Sequence, residues 1–561
     1  MRLADYFVKV LQEQGVTDAF GIPGGVILEF IYALSKSKTI TPHLCYHEQS
    51  AGFAASGYAQ VSGKLGVAYA TRGPGFTNMV TAIADAYCDS IPVLFITSHA
   101  AALNPAVRLQ SNQEIDTVAM VSKVTKYAKR VDTIEDFVDS VNKACFQALE
   151  GRKGPVFLDI ASSLWKKEME EDYQSTSETK QTSDFIEIIK TIEDELGKAK
   201  RPVILIGDGI NQTKTGQYLY KFIEGVKVPV ISSRYAHHTL AKSHYYFGYI
   251  GGFGVRYSNF ILSKTDLIIS LGNRLNFPLT SESYKGIPYQ AKIVRIDIDD
   301  SELQKDIPNS INFGVDLKDF MPELSESAIN IPFKKDWLEV CETIKEELWD
   351  DDINEPIRSV ESILRIVPDG TVVLNDVGNN EFWISRACAH ASYSDSVLYS
   401  KSFASLGCAM VKVIGAYYAT RKPLLCFIGD QGFQMNSQEL QYISQHNVPV
   451  VIVIMNNTIS GMIRDKERGA YDGQTLHSTS KDGYLLPNLE KLAMAYGIDY
   501  MEMSAGEQMD KTTLTSLHKP LLVNLKIDES LVLAPTLPRG RAPQDMVPSL
   551  ESKRYDFLNR L

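Results

Sequence analysis

Short apolar runs at 66–71, 93–97 and 156–160 alternate with longer segments of helical period in the first 165 residues. Runs that short and that continuously apolar fit strands buried on both faces, and their alternation with helices predicts a parallel sheet covered on both sides. The rhythm returns with runs at 203–206, 228–232, 267–271 and 293–298, and again at 372–375, 424–428, 448–455 and 521–525. The predicted fold class is therefore α/β, with three consecutive parallel-sheet domains at 1–165, 186–335 and 357–530 and a tail at 531–561. The polar, acidic stretch 166–185 reads as a linker. A helix from about Asp336 to Pro356 is expected between the second and third units, and the tail ends in a short helical stretch. At the start, Leu3, Phe7, Val10 and Leu11 fall on one face of an amphipathic helix, which is not the pattern of a signal peptide.

Composition narrows the class without changing that picture. A chain of 561 residues is too long for one core, and 44% hydrophobic with 22% charged residues is ordinary for a globular protein. The net charge of -11, with no Lys/Arg block, argues against a nucleic-acid or anionic membrane surface. No apolar run reaches the roughly 18 residues a membrane span needs. The seven cysteines are scattered and never form a C-x-x-C pair, so no disulfide frame or thiolate metal site follows and a cytoplasmic location is expected.

Candidate chemistry concentrates where apolar runs end. Gly429-Asp430-Gln431-Gly432 closes one strand of the third unit, and Asn456-Asn457 closes the next. In an open α/β sheet, ligands collect at the carboxyl ends of the strands, so Asp430 and Asn457 share one edge. Mg²⁺ takes oxygen ligands in a near-octahedral shell and shares them with phosphates. Asp430, Asn457 and the Ile459 carbonyl would leave positions for a diphosphate, which the glycines let the backbone approach. In the first unit, Tyr46-His47-Glu48-Gln49 closes a strand and opens a helix of small residues. It lies between Gly21-Ile22-Pro23-Gly24-Gly25 and Thr71-Arg72-Gly73-Pro74-Gly75-Phe76-Thr77-Asn78. Ala84-Asp85-Ala86-Tyr87-Cys88-Asp89-Ser90-Ile91-Pro92 follows.

Together these segments resemble the thiamine diphosphate-dependent enzymes of the acetohydroxyacid (acetolactate) synthase large-subunit type, over nearly the whole chain. The resemblance implies pyrimidine-binding, central and diphosphate-binding domains in that order. It also implies a homodimer or homotetramer with each active site between two subunits, and a carboligase that decarboxylates a 2-oxo acid and passes the two-carbon unit to an acceptor carbonyl. Glu48 is then the catalytic residue, hydrogen-bonded to the aminopyrimidine ring of thiamine diphosphate. Gly24, Gly25, Pro74 and Asn78 line the same cofactor on the Glu48 side. Leu406, in Ser405-Leu406-Gly407, supports its bent shape. Gly378 and Asn379 contact the diphosphate, although the middle of their loop, Val377-Gly378-Asn379-Asn380-Glu381-Phe382-Trp383, is changed from the family's pattern. Gly429, Asp430, Gln431, Gly432, Asn457, Ile459, Ser460, Gly461 and Met462 complete the set, with Asp430, Asn457 and Ile459 as metal ligands. Gln431 stands where the family has a smaller residue.

Two regions depart further. Gly248-x-x-Gly251-x-x-Gly254, Gly272-Asn273-Arg274 and Ile296-Asp297-Ile298-Asp299 fall where the family binds FAD. However, Ser233-Arg234-Tyr235-Ala236 and Phe253 replace family residues, so the sequence leaves FAD open. His99, Asn112, Gln113 and Lys466 are the candidate substrate residues. Lys466 replaces a tryptophan that selects 2-oxobutyrate in the family. Arg464 and Lys466 read either as exposed loop charges or as parts of a more polar acceptor pocket, suited to a 2-oxo acid or a keto sugar. The alternatives are a decarboxylase that releases an aldehyde and a silent homologue serving as a binding subunit.

Overall fold

The computed structural model describes residues 1–100, 112–169, 185–276, 287–288, 290–515 and 517–561, so most of the 166–185 linker lies outside the described residues. Three six-stranded sheets follow one another along the chain. The first contains β1 (Asp18–Gly21), β2 (Thr41–Leu44), β3 (Gly66–Tyr69), β4 (Val93–His99), β5 (Tyr127–Val131) and β6 (Val156–Ala161) in the order β2-β1-β3-β4-β6-β5. The second contains β7 (Pro202–Ile206), β8 (Val230–Ser232), β9 (Tyr246–Tyr249), β10 (Leu267–Leu271), β11 (Lys292–Asp297) and β12 (Ser310–Gly314) in the order β12-β11-β10-β7-β8-β9. The third contains β13 (Val372–Asn375), β14 (Val397–Tyr399), β15 (Leu424–Gly429), β16 (Val450–Asn456), β17 (Asp499–Ser504) and β18 (Leu521–Lys526) in the order β14-β13-β15-β16-β18-β17.

Neighbouring strands in these sheets run parallel. Strand order reverses between β1 and β3, β7 and β10, and β13 and β15, and each of these reversals opens a crevice at the strand ends where a ligand can sit. Among the strands that periodicity missed, β5, β12 and β17 are edges with partly exposed residues and present no continuous apolar run, whereas β1 is interior and buried but only four residues long. The helix expected from Asp336 to Pro356 is two helices, Lys335–Leu348 and Glu355–Leu364. Pro356 opens the second one, because a first-turn position needs no backbone N–H, and the Asn354 side chain caps it by accepting from Ile357 N. The tail runs back across the central domain: Leu537 N donates to Gly252 O at 2.8 Å and Leu558 is fully buried.

The first and third domains are joined through two helices, Glu48–Ser62 and Cys408–Thr420. Glycines make this approach possible. A Cβ on Gly415 would lie 1.8 Å from Ala54 O, and one on Gly57 would lie 2.3 Å from Lys412 O. Beside them the Lys412 ammonium meets Asp85 at 3.2 Å, both side chains being buried. Gly415→Ala drives a methyl into the Ala54 carbonyl, and we expect it to destabilise the chain by about 3 kcal/mol, the upper range for overpacking. A thermal or urea midpoint equal to wild type would show that the two helices can separate without cost.

Candidate active site

The third sheet places its chemistry on both sides of its order reversal. Asp430 opens a short helix at the end of β15, and Asn457 follows β16, with Gly429 and Met455 paired across the two strands. The carboxylate of Asp430 accepts from the Gln431 N–H (2.8 Å), the Tyr484 hydroxyl (2.6 Å) and the Thr458 N–H (2.8 Å). Burial nonetheless pushes Asp430 up to about 6, against the donors that lower it. A cation beside it relieves that penalty.

Asn457 Oδ1 is 3.4 Å from Ile459 N, and Thr458 between them has φ 56°, the left-handed turn that swings the chain back toward the strand ends. Gly461 comes next. A Cβ there would lie 2.8 Å from Asn379 Nδ2 and 2.9 Å from Asn457 Nδ2, so the loops after β13 and β16 converge on one small space. Asn379 begins the helix Asn379–His390 after Gly378, whose φ is 117°. It is buried, yet neither its amide nitrogen nor its oxygen has a hydrogen-bond partner. Buried amides are nearly always paired, so this orphan fits a bound polar group such as a diphosphate at the helix N-terminus.

Gln431 is accounted for by Ser460, whose hydroxyl donates to Gln431 Oε1 at 3.0 Å and ties the two strand ends together. A Cβ on Gly432 would lie 2.3 Å from Asp376 Oδ2 and 3.3 Å from Leu406 Cδ1, which puts Leu406 against the same turn. Asp376 was not singled out from the sequence. It is fully buried, accepts from Gly407 N (2.9 Å) and Ala409 N (3.1 Å), and is pushed by burial to about 7. An Asp at the end of a buried strand, β13, was the signal for it, as it was for Asp430.

The first sheet holds a separate cluster at its own reversal. Glu48 is the first residue of its helix, and His47 caps it by accepting from Gln49 N. Asn78 Nδ2 donates to Glu48 Oε2 at 2.9 Å, while a Cβ on Gly75 would lie 3.3 Å from Glu48 Oε1. Gly24 packs against Thr71, Gly25 faces open space, and Pro74 opens the helix that carries Asn78. Among the described residues no hydrogen bond or ion pair joins Glu48 to Asp430, Asn457 or Asn379. Within one chain the Glu48 cluster thus stands at the edge of the first sheet and the Asp430 cluster at the edge of the third.

The substrate candidates divide. Asn112 and Gln113 are exposed beside the Gly73 turn, where a Cβ on Gly73 would lie 2.7 Å from Gln113 Cβ, and Lys466 is exposed on the helix Gly461–Ala470. His99 is 1% exposed, with Nε2 2.9 Å from Asp132 Oδ1 and Nδ1 3.3 Å from Asp159 Oδ1. Burial works against its charge, but the carboxylates outweigh burial and its pKa is raised. The reading of Arg464 as an exposed loop charge is corrected: it is 1% exposed and donates to Glu529 O and Leu531 O. The residue sits on the inward face of its helix with Glu467, which a loop reading could not reveal.

The central domain contributes a cavity of about 780 Å³, within the range of ligand pockets. It runs from Asp297, at the end of β11, past Gly207 and Gly272 to Val377 and Met462 at the third-domain edge. Gly207 and Gly272 cross closely where strand order reverses; a Cβ on Gly207 would lie 2.1 Å from Gly272 O. A doubly wound sheet with small residues at that crossing suits a nucleotide.

Comparison with known proteins agrees with this geometry. Residues 1–120 match the family described as thiamine pyrophosphate enzyme, N-terminal TPP binding domain, residues 189–324 its central domain, and residues 376–525 its C-terminal TPP binding domain. The chain is 31% identical to the acetolactate synthase large subunit of Lactococcus lactis subsp. lactis (strain IL1403), over 96% of this chain and 95% of that one. It is 29% identical to the acetolactate synthase isozyme 2 large subunit of Escherichia coli (strain K12), over 98% and 100% of the two chains. It is also 28% identical to acetolactate synthase 1, chloroplastic, of Zea mays, over 97% and 88%. The chain belongs to the thiamine diphosphate-dependent enzyme family, in the acetolactate synthase large-subunit group. It is an acetolactate synthase-like carboligase that uses thiamine diphosphate. Among the described residues no helix is long and apolar enough to cross a membrane.

Proposed function

We propose that the chain decarboxylates a 2-oxo acid, pyruvate in the first instance, and transfers the two-carbon unit to the carbonyl of a second 2-oxo acid or of a keto sugar. The observation that carries this reading is the orphaned amide of Asn379 beside Asn457, whose neighbour Thr458 donates its N–H to Asp430, a polar cradle at a strand-order reversal. Asp430, Asn457 and the Ile459 carbonyl hold Mg²⁺. Gly378, Asn379, Gly429, Gln431, Gly432, Ser460 and Gly461 surround the diphosphate, and Leu406 and Met462 supply apolar support. Bound thiamine diphosphate supplies the electron sink that decarboxylation needs. Because Asn78 occupies Glu48 Oε2, Oε1 is the atom left to hydrogen-bond the cofactor ring and hold its proton. Gly24, Gly25 and Pro74 shape the Glu48 crevice around that ring.

The separation of the two clusters supports completion of the site by a second copy of the chain, in a homodimer or homotetramer. Gly207, Gly272, Arg274 and Asp297 would hold a nucleotide in the central cavity, and FAD is the one the family resemblance implies. Asn112, Gln113 and Lys466 offer exposed polar ends to an anionic acceptor, whereas His99 acts only through the strand it fixes. All seven cysteines are free, which supports a reducing compartment, the cytoplasm.

The test is mass spectrometry of products from the purified chain with Mg²⁺, thiamine diphosphate and pyruvate, alone and with 2-oxobutyrate or a panel of nucleotide-linked keto sugars. Acetolactate from pyruvate alone is the product of the 2-oxo acid acceptor, and an adduct on a sugar with little acetolactate would name the other. Acetaldehyde alone would replace ligation by simple decarboxylation, and failure to bind thiamine diphosphate would reduce the chain to a non-catalytic subunit.

A further inference from the structure

One buried ion pair bridges the central and third domains on the wall of the central cavity. Arg234, which follows β8, places Nη2 2.7 Å from Glu381 Oε1, with the side chains 12% and 6% exposed. The guanidinium lies 4.3 Å from the centroid of the Phe382 ring and 4.9 Å from that of Tyr235. Phe382 packs in turn on Phe253 with centroids 4.2 Å apart. Nη2 also donates to the Tyr235 hydroxyl at 2.8 Å, and that hydroxyl donates to Lys401 O at 2.7 Å. Arg234, Tyr235, Phe253, Glu381 and Phe382 all line the cavity. One edge of the guanidinium is thereby used, whereas Nε is buried with no partner.

Such a pair is a weak source of stability, because taking two charges out of water costs about as much as their attraction returns. Its position suggests another use. Glu381 lies in the first turn of the helix Asn379–His390, two residues from the orphaned amide of Asn379. Arg234 and Glu381 both stand in segments that depart from the family pattern, yet they belong to different domains and meet only in the fold.

We propose that the Arg234–Glu381 pair couples occupancy of the central cavity to thiamine diphosphate binding: an anionic nucleotide in the cavity is drawn to the Arg234 guanidinium that lines it, which fixes Glu381 and with it the turn that presents Asn379. The proposal rests on the reading of the third-domain edge as the cofactor site and of the central cavity as a nucleotide site. Coupling between sites is reciprocal, so each ligand changes the affinity of the other by the same factor.

The experiment is calorimetric titration of the full chain with thiamine diphosphate in Mg²⁺, with and without saturating FAD or ADP, and the reverse titration. In wild type the nucleotide lowers the thiamine diphosphate Kd by at least about fivefold, the lower end of ordinary allosteric coupling, and the reverse factor matches. Arg234→Met and Glu381→Gln each bring that factor close to one. The double variant does no more than either single one, as expected for two ends of one link. Both single variants keep the wild-type circular dichroism and still bind thiamine diphosphate. An undiminished factor in either folded variant, or no coupling in wild type, overturns the proposal. Thiamine diphosphate binding without any nucleotide binding overturns it as well while leaving the carboligase reading intact. Absence of thiamine diphosphate binding would instead overturn the cofactor-site reading itself.

Discussion

Glu48→Gln is expected to lower kcat on pyruvate at least a hundredfold while leaving the fold unchanged. A positioned proton-transfer group contributes about 10²- to 10⁴-fold, and a carboxamide of the same shape cannot hold the proton. The amide oxygen can still accept from Asn78 Nδ2, which sits 2.9 Å from Glu48 Oε2, so the helix start keeps its local contact. Glu48 is half-buried and makes no ion pair among the described residues, so no charge partner is stranded by the change. The measurements are the steady-state rate with Mg²⁺ and thiamine diphosphate and the thermal midpoint of the same preparation. A rate within threefold of wild type, at an unchanged midpoint, would remove Glu48 from the chemistry.

Asp430→Asn should act at a different step, by weakening metal-dependent cofactor binding. Removing one charge from a buried ionic contact costs about 3 kcal/mol or more, on the order of a hundredfold in affinity. Stability should move the other way. Burial raises Asp430 to about 6, so the folded chain binds its proton more readily than the unfolded one. For such a group the folding contribution falls as pH rises from the ordinary carboxylate value toward 6, and at neutral pH the bare carboxylate is a liability. Without metal, Asp430→Asn should therefore unfold at or above the wild-type temperature. Wild type alone should gain thermal stability when Mg²⁺ and thiamine diphosphate are added, by mass action on the folded state. A variant that gains as much as wild type would show that Asp430 is not a ligand.

What could be read in advance, and what could not, follows from the range of the forces involved. Strands buried on both faces must be apolar throughout, so β4, β6, β7, β10, β15, β16 and β18 stood out as runs, and three α/β sheets followed from their spacing. The polar positions at their ends stood out for the same reason: Asp430 and Asn457 each follow directly on a buried apolar strand. Edge strands such as β5, β12 and β17 gain their order from one hydrogen-bonded neighbour and carry mixed residues, so nothing local announced them.

Side-chain roles within one segment were less secure. Arg464 and Lys466 lie two residues apart on a single helix, and only the packing of that helix buried one and exposed the other. His99 likewise became a buried link to two aspartates because β4 lies between neighbours that supply them. The sequence by itself determined the sheets, the family and the residues at each strand end, since periodicity and turn chemistry act over a few residues. Only the tertiary structure decided that Asn379 is unpaired. It alone also decided that Arg234 and Glu381 meet on a cavity wall, because contacts between domains depend on packing that no local pattern records.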